Sequence, residues 1–219
     1  SFGCTVVICS ATQPAIEQRD EFPIGLSNVK PIIKGAKKLF SSLRRARVTN
    51  RGKLDDGILV QELNQSGRAL CIVNTRRHAH DLFDRLGASE DNFHLSALMC
   101  PAHRSEQLEC IRRRLSDKKR CIVVSTQLIE AGVDLDFPIV YRAMAGLDSI
   151  AQAAGRCNRE GGLPIGETIV FEPEEAIPPG FLRHAAQAAR EVLGTGIDAL
   201  SPEAIEDYFR LLYWQRKED

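Results

Sequence analysis

The run Cys121-Ile122-Val123-Val124-Ser125-Thr126 gives the strongest indication of the architecture of this chain. Four apolar residues followed by two hydroxyl side chains are typical of a strand that is buried in a parallel sheet and breaks into a loop. A hydroxyl and free backbone N–H groups at the carboxyl end of such a strand can meet a phosphate. In the loop that follows, Gly132 permits a close backbone approach, and Asp134 can accept hydrogen bonds from a ribose or an arginine. The stretch therefore predicts a nucleotide-binding edge.

Two other segments, 5–12 and 69–77, also consist of an apolar strand with a polar tip. Taken singly, each is better explained by an ordinary buried strand with a polar end. Strands and helices, however, alternate along the whole chain. The predicted elements are strand 5–12, a polar, basic link from about 13 to 50, helix 55–63, strand 69–74, helix 77–86, strand 93–97, helix 104–115, strands 120–125 and 139–142, helix 148–157, strand 167–171, and helices 179–193 and 202–214. Such alternation predicts an α/β fold, a mostly parallel sheet with helices on both faces, followed by a short C-terminal helical extension.

The run Gln152-Ala153-Ala154-Gly155-Arg156-Cys157-Asn158-Arg159 places two guanidinium groups three positions apart. On one helix they would share a face. Two permanently charged guanidinium groups suit a phosphate whose negative charge grows during transfer. An arginine finger of this kind contributes a factor of roughly 10³ to 10⁵ to the rate. An isolated Gly-Arg-x-x-Arg is more often a solvated basic turn. Together with the polar strand tips, the run 152–159 favours a role in phosphoryl transfer.

In this order the segments resemble the motifs of superfamily 2 helicases. Ser10-Ala11-Thr12 looks like motif III, Val73 to Arg76 like motif IV, Ser125 to Asp134 like motif V, and 152–159 like motif VI, with all four fixed positions of Gln-x-x-Gly-Arg-x-x-Arg present. Within the superfamily, the wording Ser-Thr-Gln-x-x-Glu-Ala-Gly-Val-Asp-x-Asp-Phe, together with 147–149, 94–104 and 208–214, is similar to the CRISPR-associated helicase-nuclease of type I systems.

The resemblance implies a RecA-like fold and a division of the chain. Residues 1–12 would be the last strand of a first RecA-like domain, 13–54 a connector, 55–175 the second RecA-like domain, and 176–219 the helical extension. Motif III would face the interdomain cleft.

The resemblance also implies roles for single residues. Arg156 and Arg159, with Gln152 positioning, would act in catalysis on ATP; Gly132, Asp134 and Gly155 would lie near the nucleotide; and Thr75, Arg76, Thr126, His94 and Arg104 would contact single-stranded DNA.

Two parts of a complete enzyme are missing from the sequence. It has no Gly-x-x-x-x-Gly-Lys-Ser/Thr phosphate loop and no metal-holding acidic strand, so we expect ATP with Mg²⁺ to need the first RecA-like domain. The family's nuclease domain uses a His-Asp ligand pair, but here His80-Asp81 stands without a second cluster and is better explained as a helix surface. We therefore expect no metal site, an isolated chain without activity, and a gene longer than this chain.

Composition sets further bounds. The chain has 29 Lys and Arg residues and 29 Asp and Glu residues, so its net charge does not by itself indicate that it binds nucleic acid. The basic run of Lys34, Lys37, Lys38, Arg44, Arg45, Arg47, Arg51 and Lys53 is as consistent with a solvated connector as with a strand-binding surface. The seven cysteines include no Cys-x-x-Cys pair, which indicates buried thiols in a reducing cytoplasm. No apolar stretch approaches the roughly 20 residues that span a bilayer.

Three functions remain open from the sequence. The favoured one is the second motor domain of an ATP-dependent single-stranded DNA translocase in CRISPR antiviral defence, cytoplasmic and partnered by the first RecA-like domain, the nuclease domain and the CRISPR surveillance complex. A second is a module that binds nucleic acid or docks on that complex without catalysis. A third is a different superfamily 2 DNA or RNA helicase, which would share the motifs.

Overall fold

The computed structural model describes residues 4–10, 12–20, 22–33, 35–130 and 132–215. Its centre is a six-stranded sheet in the order β1-β6-β5-β2-β4-β3, and every strand pairing in it is parallel. The strands are β1 (Ala46–Lys53), β2 (Arg68–Ile72), β3 (Asn92–Leu95), β4 (Cys121–Ser125), β5 (Ile139–Ala143) and β6 (Gly166–Glu172). The helices are α1 (Ala36–Leu43), α2 (Asp56–Ser66), α3 (Arg76–Leu86), α4 (Pro101–Ser116), α5 (Leu147–Ala154), α6 (Phe181–Gly194) and α7 (Pro202–Gln215).

The central strands bury both faces of the sheet, as their continuous apolar sequences predict. In β2, Ala69 and Cys71 pack toward α2 and α3 on one face, while Leu70 and Ile72 join the core on the opposite face. All four are fully buried. Because successive strand residues point to opposite sides, a strand covered by helices on both faces must be apolar throughout. The predicted α/β class, with a parallel sheet between helices, is confirmed.

The two C-terminal helices add a third core. Alanines of α6 pack with Leu147 and Ile150 of α5 and with Tyr208 of α7, and these residues are buried. The Tyr208 hydroxyl donates to Asp148 Oδ1 at 2.8 Å, which satisfies a polar group that would otherwise be buried without a partner. The helical extension therefore braces α5, the helix that leads to the paired arginines.

Two predictions in the first quarter of the chain differ from the structure. Residues 4–10 form no strand, and Val6, Val7 and Ile8 are exposed, because the described part of the chain offers them no partner strand. The predicted connector also contains α1 and strand β1, which pairs with β6 at the edge of the sheet. An edge strand with a polar, basic sequence lacks the apolar run by which the central strands were recognised. The assignment of residues 1–12 to another domain stays a prediction.

Candidate functional site

The tips of the central strands meet at one edge of the sheet. Ser125, the last residue of β4, donates through its hydroxyl to Leu95 O at 2.9 Å and so ties the tips of β4 and β3 together. Asn74, just beyond β2, donates through Nδ2 to Met144 O at 2.9 Å beyond β5. The polar tips that the sequence indicated are thus held beside one another by side-chain hydrogen bonds.

Beneath this edge lies an ion pair between Glu130 and Arg142. Arg142 Nε is 2.9 Å from Glu130 Oε1, and the two side chains are 0% and 7% exposed. This approach is an electrostatic contact without the alignment of a hydrogen bond. The aligned bonds run through Ser149, whose hydroxyl accepts from Arg142 at 3.0 Å and donates to Glu130 Oε2 at 2.6 Å. Arg142 also donates to Asn74 Oδ1 at 2.8 Å. One buried cation on β5 therefore joins the segment after β2, helix α5 and the loop after β4.

Burial acts on the ionisation of both partners. It raises the pKa of Glu130, and the Arg142 charge and the Ser149 hydrogen bond oppose that rise. Burial also lowers the pKa of Arg142 from its high ordinary value, and the Glu130 carboxylate opposes that change. A guanidinium stays charged at any physiological pH, so the carboxylate beside it is needed as its counter-ion.

Arg156 turns into the protein. Its Nε donates to Ile129 O at 3.1 Å, its Nη2 donates to Glu130 O at 2.7 Å, and the residue is only 8% exposed. Burial lowers the pKa of Arg156, as does the neighbouring charge of Arg159. Arg156 therefore clamps the backbone of the loop after β4.

Arg159 turns outward. Its side chain is 46% exposed, and its Nε lies 2.8 Å from Asp134 Oδ1. Its backbone N–H donates to Asp136 Oδ1 at 2.7 Å. The structure thus brings Asp134 and Arg159 together and leaves the guanidinium accessible, with an exposed carboxylate as its partner.

A cavity of about 650 Å³ lies next to this pair. Its lining includes Asp134, Asp136 and Asn158, together with Arg112 of α4 and Arg68 at the start of β2. Cavities of this volume accommodate small organic ligands. Asp134 therefore lines this cavity and pairs with an accessible cation.

The predicted helix 148–157 ends earlier in the structure, so Arg156 and Arg159 both lie beyond it and do not share a helical face. Helix α5 ends at Ala154, and the chain after Gly155 is drawn toward the segment before β5. There Phe137 N donates to Arg156 O at 2.9 Å, and Asn158 N donates to Phe137 O at 2.8 Å. This short bridge replaces the helix and sends the two side chains in different directions.

Two residues that hold this turn were not recognised as such from the sequence. Asn158 is 2% exposed and has a φ of 49°; its Nδ2 donates to Arg45 O and Leu163 O, and its Oδ1 accepts from Leu163 N at 2.8 Å. A Cβ on Gly166 would lie 2.6 Å from Cys157 Sγ and 2.7 Å from Asn158 Cβ. Asparagine's tolerance of left-handed backbone was the one available signal for Asn158. The close approach at Gly166 depends on tertiary packing.

The other residues expected near a nucleotide lie around the same turn. Gln152 is half-buried in α5, and Gly155 caps that helix with an ordinary φ of −65°. Gly132 has a φ of 72°, and a Cβ there would meet nothing within 4 Å, so backbone conformation rather than crowding favours glycine. Their contact with a nucleotide stays a prediction.

The residues expected to contact nucleic acid are more dispersed. Thr126 is buried directly after β4, Arg76 is the exposed first residue of α3, and Arg104 is half-buried in α4. Thr75 caps α3, because its Oγ1 accepts from His78 N at 3.1 Å. The structure therefore places Thr75 and Arg76 together, with Arg104 on a different element.

His94 lies on the edge strand β3 within a ring cluster. Its ring stacks on Phe83 at 5.6 Å and on His80 at 6.1 Å, and its buried Nε2 has no hydrogen-bond partner in the part of the chain that the structure describes. Burial, followed by the charge of His80, lowers the pKa of His94. In this environment His94 is a neutral ring that packs against aromatic neighbours.

The segment expected to form motif III is a local turn. Ser10 Oγ donates to Thr12 O at 2.6 Å, and Thr12 N donates back to Ser10 Oγ at 3.3 Å. Ala11 lies outside the described residues. The interdomain role of these residues stays a prediction.

Among the described residues, no group of three or more His, Cys, Asp or Glu side chains could hold a metal ion. His80 is exposed on α3, and its Nε2 is 3.5 Å from Asp84 Oδ2. Within the same residues, no helix combines the length and the apolar character that crossing a membrane requires.

Comparison with known proteins finds a similarity in the central part of the chain. Residues 65–162 match the family model described as CRISPR-associated nuclease/helicase Cas3, C-terminal. The CRISPR-associated nuclease/helicase Cas3 of Haloferax volcanii is 52% identical over 62 residues, which are 26% of this chain and 7% of that protein. The chain thus spans only a small part of the length of this curated relative.

Solved structures show a similar fold. T. fusca Cas3, in a crystal structure described as Cas3-ATP, has a TM-score of 0.62 at 21% identity over 82% of this chain and 24% of that one. A chain of a CRISPR RNA-guided surveillance complex, pre-nicking, has a TM-score of 0.57 at 20% identity over 90% of this chain and 28% of that one. At these identities the likeness concerns the fold.

Proposed function

Because residues 65–162 match the model of the Cas3-like C-terminal family, we propose that this chain is the second motor domain of an ATP-dependent single-stranded DNA translocase or helicase in CRISPR antiviral defence. The observation that carries the proposal is the accessible guanidinium of Arg159 beside Asp134. Arg156 ties the turn that carries Arg159 to the loop after β4, which carries Asp134, and Glu130 of that loop pairs with the buried Arg142. A rigid support under an accessible cation is what charge stabilisation in phosphoryl transfer requires.

We assign the nucleotide-facing roles as follows. Arg159 would leave Asp134 and contact the γ-phosphate of ATP, while Asp134 keeps the guanidinium oriented before that contact. Arg156 would act as a positioning residue, since the side chain is buried and its Nε and Nη2 already donate to Ile129 O and Glu130 O. Gln152, Gly132 and Gly155 would line the same edge.

The donor set fits ATP in one respect. An exposed arginine next to a cavity of about 650 Å³ supplies a cation and space, and the left-handed Gly132 leaves the backbone accessible. When bound, ATP would supply the phosphoryl group whose transfer to water drives movement along the strand. Mg²⁺ and most phosphate contacts would come from a first RecA-like domain, which we propose as a partner together with the nuclease domain.

On the nucleic-acid side, we propose that Thr75 and Thr126 contact phosphates of single-stranded DNA, with Arg76, His94 and Arg104 as neighbours. Contacts to the phosphate backbone allow movement along a strand without sequence readout. The fold shared with a chain of a surveillance complex supports that complex as a further partner. Function on DNA, together with cysteines that are all free among the described residues, favours the cytoplasm.

The proposal is tested by Arg159→Ala in the protein that joins this chain to a first RecA-like domain. We expect single-strand-stimulated ATP hydrolysis to fall by roughly 10³-fold or more, with unchanged circular dichroism and unchanged DNA affinity. Arg210→Ala is the matched control, because Arg210 is also exposed but pairs with Glu206 within α7. Normal turnover by Arg159→Ala would remove the finger assignment.

A second candidate function is a binding module without catalysis, which the hydroxyl-bearing strand tips favour. The 219-residue chain would then bind single strands and show no ATP hydrolysis in any longer form. The assay of the longer protein separates this candidate from the motor domain.

A further inference from the structure

The hydroxyl of Thr75 already has an anionic partner within the chain. Its Oγ1 donates to Glu175 Oε2 at 2.6 Å, across a hundred residues of sequence. Glu175 follows β6, and its side chain is only 19% exposed. A carboxylate therefore occupies the position at the start of α3 where the proposed function places a phosphate.

The same carboxylate is held by an arginine. Arg77 Nε donates to Glu175 Oε1 at 3.1 Å, and Arg77 Nη2 contacts the same oxygen. His78 Nδ1 lies 3.9 Å from Oε2, although the other ring nitrogen of His78 pairs with Asp56 at 2.9 Å. One hydroxyl and one guanidinium thus converge on a single oxyanion.

The ionisation of Glu175 agrees with this geometry. Burial by itself raises the pKa of Glu175, but the hydrogen bonds from Thr75 and Arg77 outweigh it and hold the carboxyl pKa below its ordinary value. Glu175 is consequently an anion at neutral pH.

The Thr75 hydroxyl can donate to Glu175 or to a phosphate, but not to both. A threonine hydroxyl has a single proton to donate, and both a carboxylate and a phosphodiester oxygen can only accept it. Thr75 cannot donate to Glu175 and to a phosphate at the same time. A phosphate that binds Thr75 must displace the carboxylate.

We propose that Thr75 and Arg77 form one oxyanion site for a phosphodiester of single-stranded nucleic acid, and that Glu175 occupies this site until the strand displaces it. The inference rests on the proposed function, which supplies the strand. It goes beyond that function in two ways: it assigns Arg77, rather than only Arg76, to the contact, and it makes Glu175 an internal competitor.

The test is the affinity of the 219-residue chain for a short fluorescein-labelled oligothymidine, measured by fluorescence anisotropy. Glu175→Gln removes the competing charge, and we expect binding to tighten by roughly tenfold, since hydrogen bonds to charged groups are of that strength. Freed from its counter-ion, Arg77 would neutralise one further phosphate. The log-log dependence of affinity on salt should therefore steepen by about 0.7.

Glu174→Gln is the matched control. It makes the same change of charge one residue away, but Glu174 lies 3.5 Å from Asp56 N rather than against Thr75. We expect it to change affinity much less than Glu175→Gln does. Equal tightening by the two variants would show a general effect of charge and would overturn the proposal.

Thr75→Val and Arg77→Gln, each added to Glu175→Gln, should cancel the gain in affinity, while thermal melts confirm that the variants are folded. A gain that survives both additions would place the phosphate elsewhere. Inorganic phosphate, compared with chloride at equal ionic strength, separates the two sources of a phosphate group: selective displacement of the oligonucleotide by free phosphate would contradict a strand site.

The outcomes also separate this inference from the proposed function. If the wild-type chain binds the oligonucleotide and Glu175→Gln gains nothing, only the exchange at Thr75 fails. If no variant binds at low salt, the proposed nucleic-acid contact fails as well.

Discussion

The most informative single substitution in this chain is Glu130→Gln. It keeps the size of the side chain but leaves the Arg142 guanidinium, which is 0% exposed, without its counter-ion. Asn74 Oδ1, Ala143 O and the Ser149 hydroxyl would remain as neutral acceptors, and the carboxylate of Asp148 is a weaker contributor to the charge balance.

The expected cost follows from burial. Removing one partner of a buried ion pair typically destabilises a protein by about 3–5 kcal/mol, because the other charge is left in a medium of low polarity. Native domains have only about 5–15 kcal/mol of stability in all. In a domain of this size, such a loss corresponds to a drop in melting temperature of roughly 6 to 20 °C.

Urea denaturation followed by circular dichroism measures this loss. Glu206→Gln is the matched control, since Glu206 pairs with Arg210 on the surface of α7, where the two side chains are 51% and 56% exposed. Its expected cost is at most about 0.5 kcal/mol. Glu130→Leu with Arg142→Met should recover most of the stability, because apolar replacement of a buried pair is often neutral or better. If Glu130→Gln costs no more than Glu206→Gln, the pair is not the support that we infer.

Three further outcomes are expected from the same assays. Gly166→Ala should cost about 1–3 kcal/mol, because its Cβ would lie 2.6 Å from Cys157 Sγ, whereas Gly162→Ala, with nothing within 4 Å of the new Cβ, should be nearly neutral. Asn158→Ala should cost about 2 kcal/mol or more, because three hydrogen bonds are lost at a left-handed residue; wild-type stability would refute that reasoning. The pKa of Glu175 lies below its ordinary value of 4.5, so its stabilising contribution is present above pH 4.5 and is lost as the pH falls through the lowered value. The stability difference between wild type and Glu175→Gln should therefore shrink below pH 4.5, and a difference that grows there would contradict the assignment.

The central strands could be predicted from the sequence because burial on both faces leaves a continuous apolar run. Cys121–Ser125 and its neighbour β2 are of this kind. Strand β1 could not be predicted in the same way, since an edge strand is stabilised by pairing with β6 while its own side chains stay largely polar.

The sequence singled out Asp134 and Arg159, which the structure brings together, but it did not give the directions of the side chains in the candidate site. The spacing of Arg156 and Arg159 suggested one shared face, whereas the bridge to Phe137 ends the helix and separates them. Their environments depend on partners far away in sequence. The same holds for Glu175, whose contact with Thr75 spans a hundred residues, and no local pattern encodes such a contact.

The measurement that tests the central claim most directly is ATP hydrolysis stimulated by single-stranded DNA in the protein that joins this chain to a first RecA-like domain. Wild type is compared with Arg159→Ala, and the 219-residue chain serves as the control. We predict turnover in the joined wild type, a loss of roughly 10³-fold or more in Arg159→Ala, and none in the control. Equal turnover in the two joined proteins, or turnover by the 219-residue chain alone, would contradict a shared site completed by Arg159.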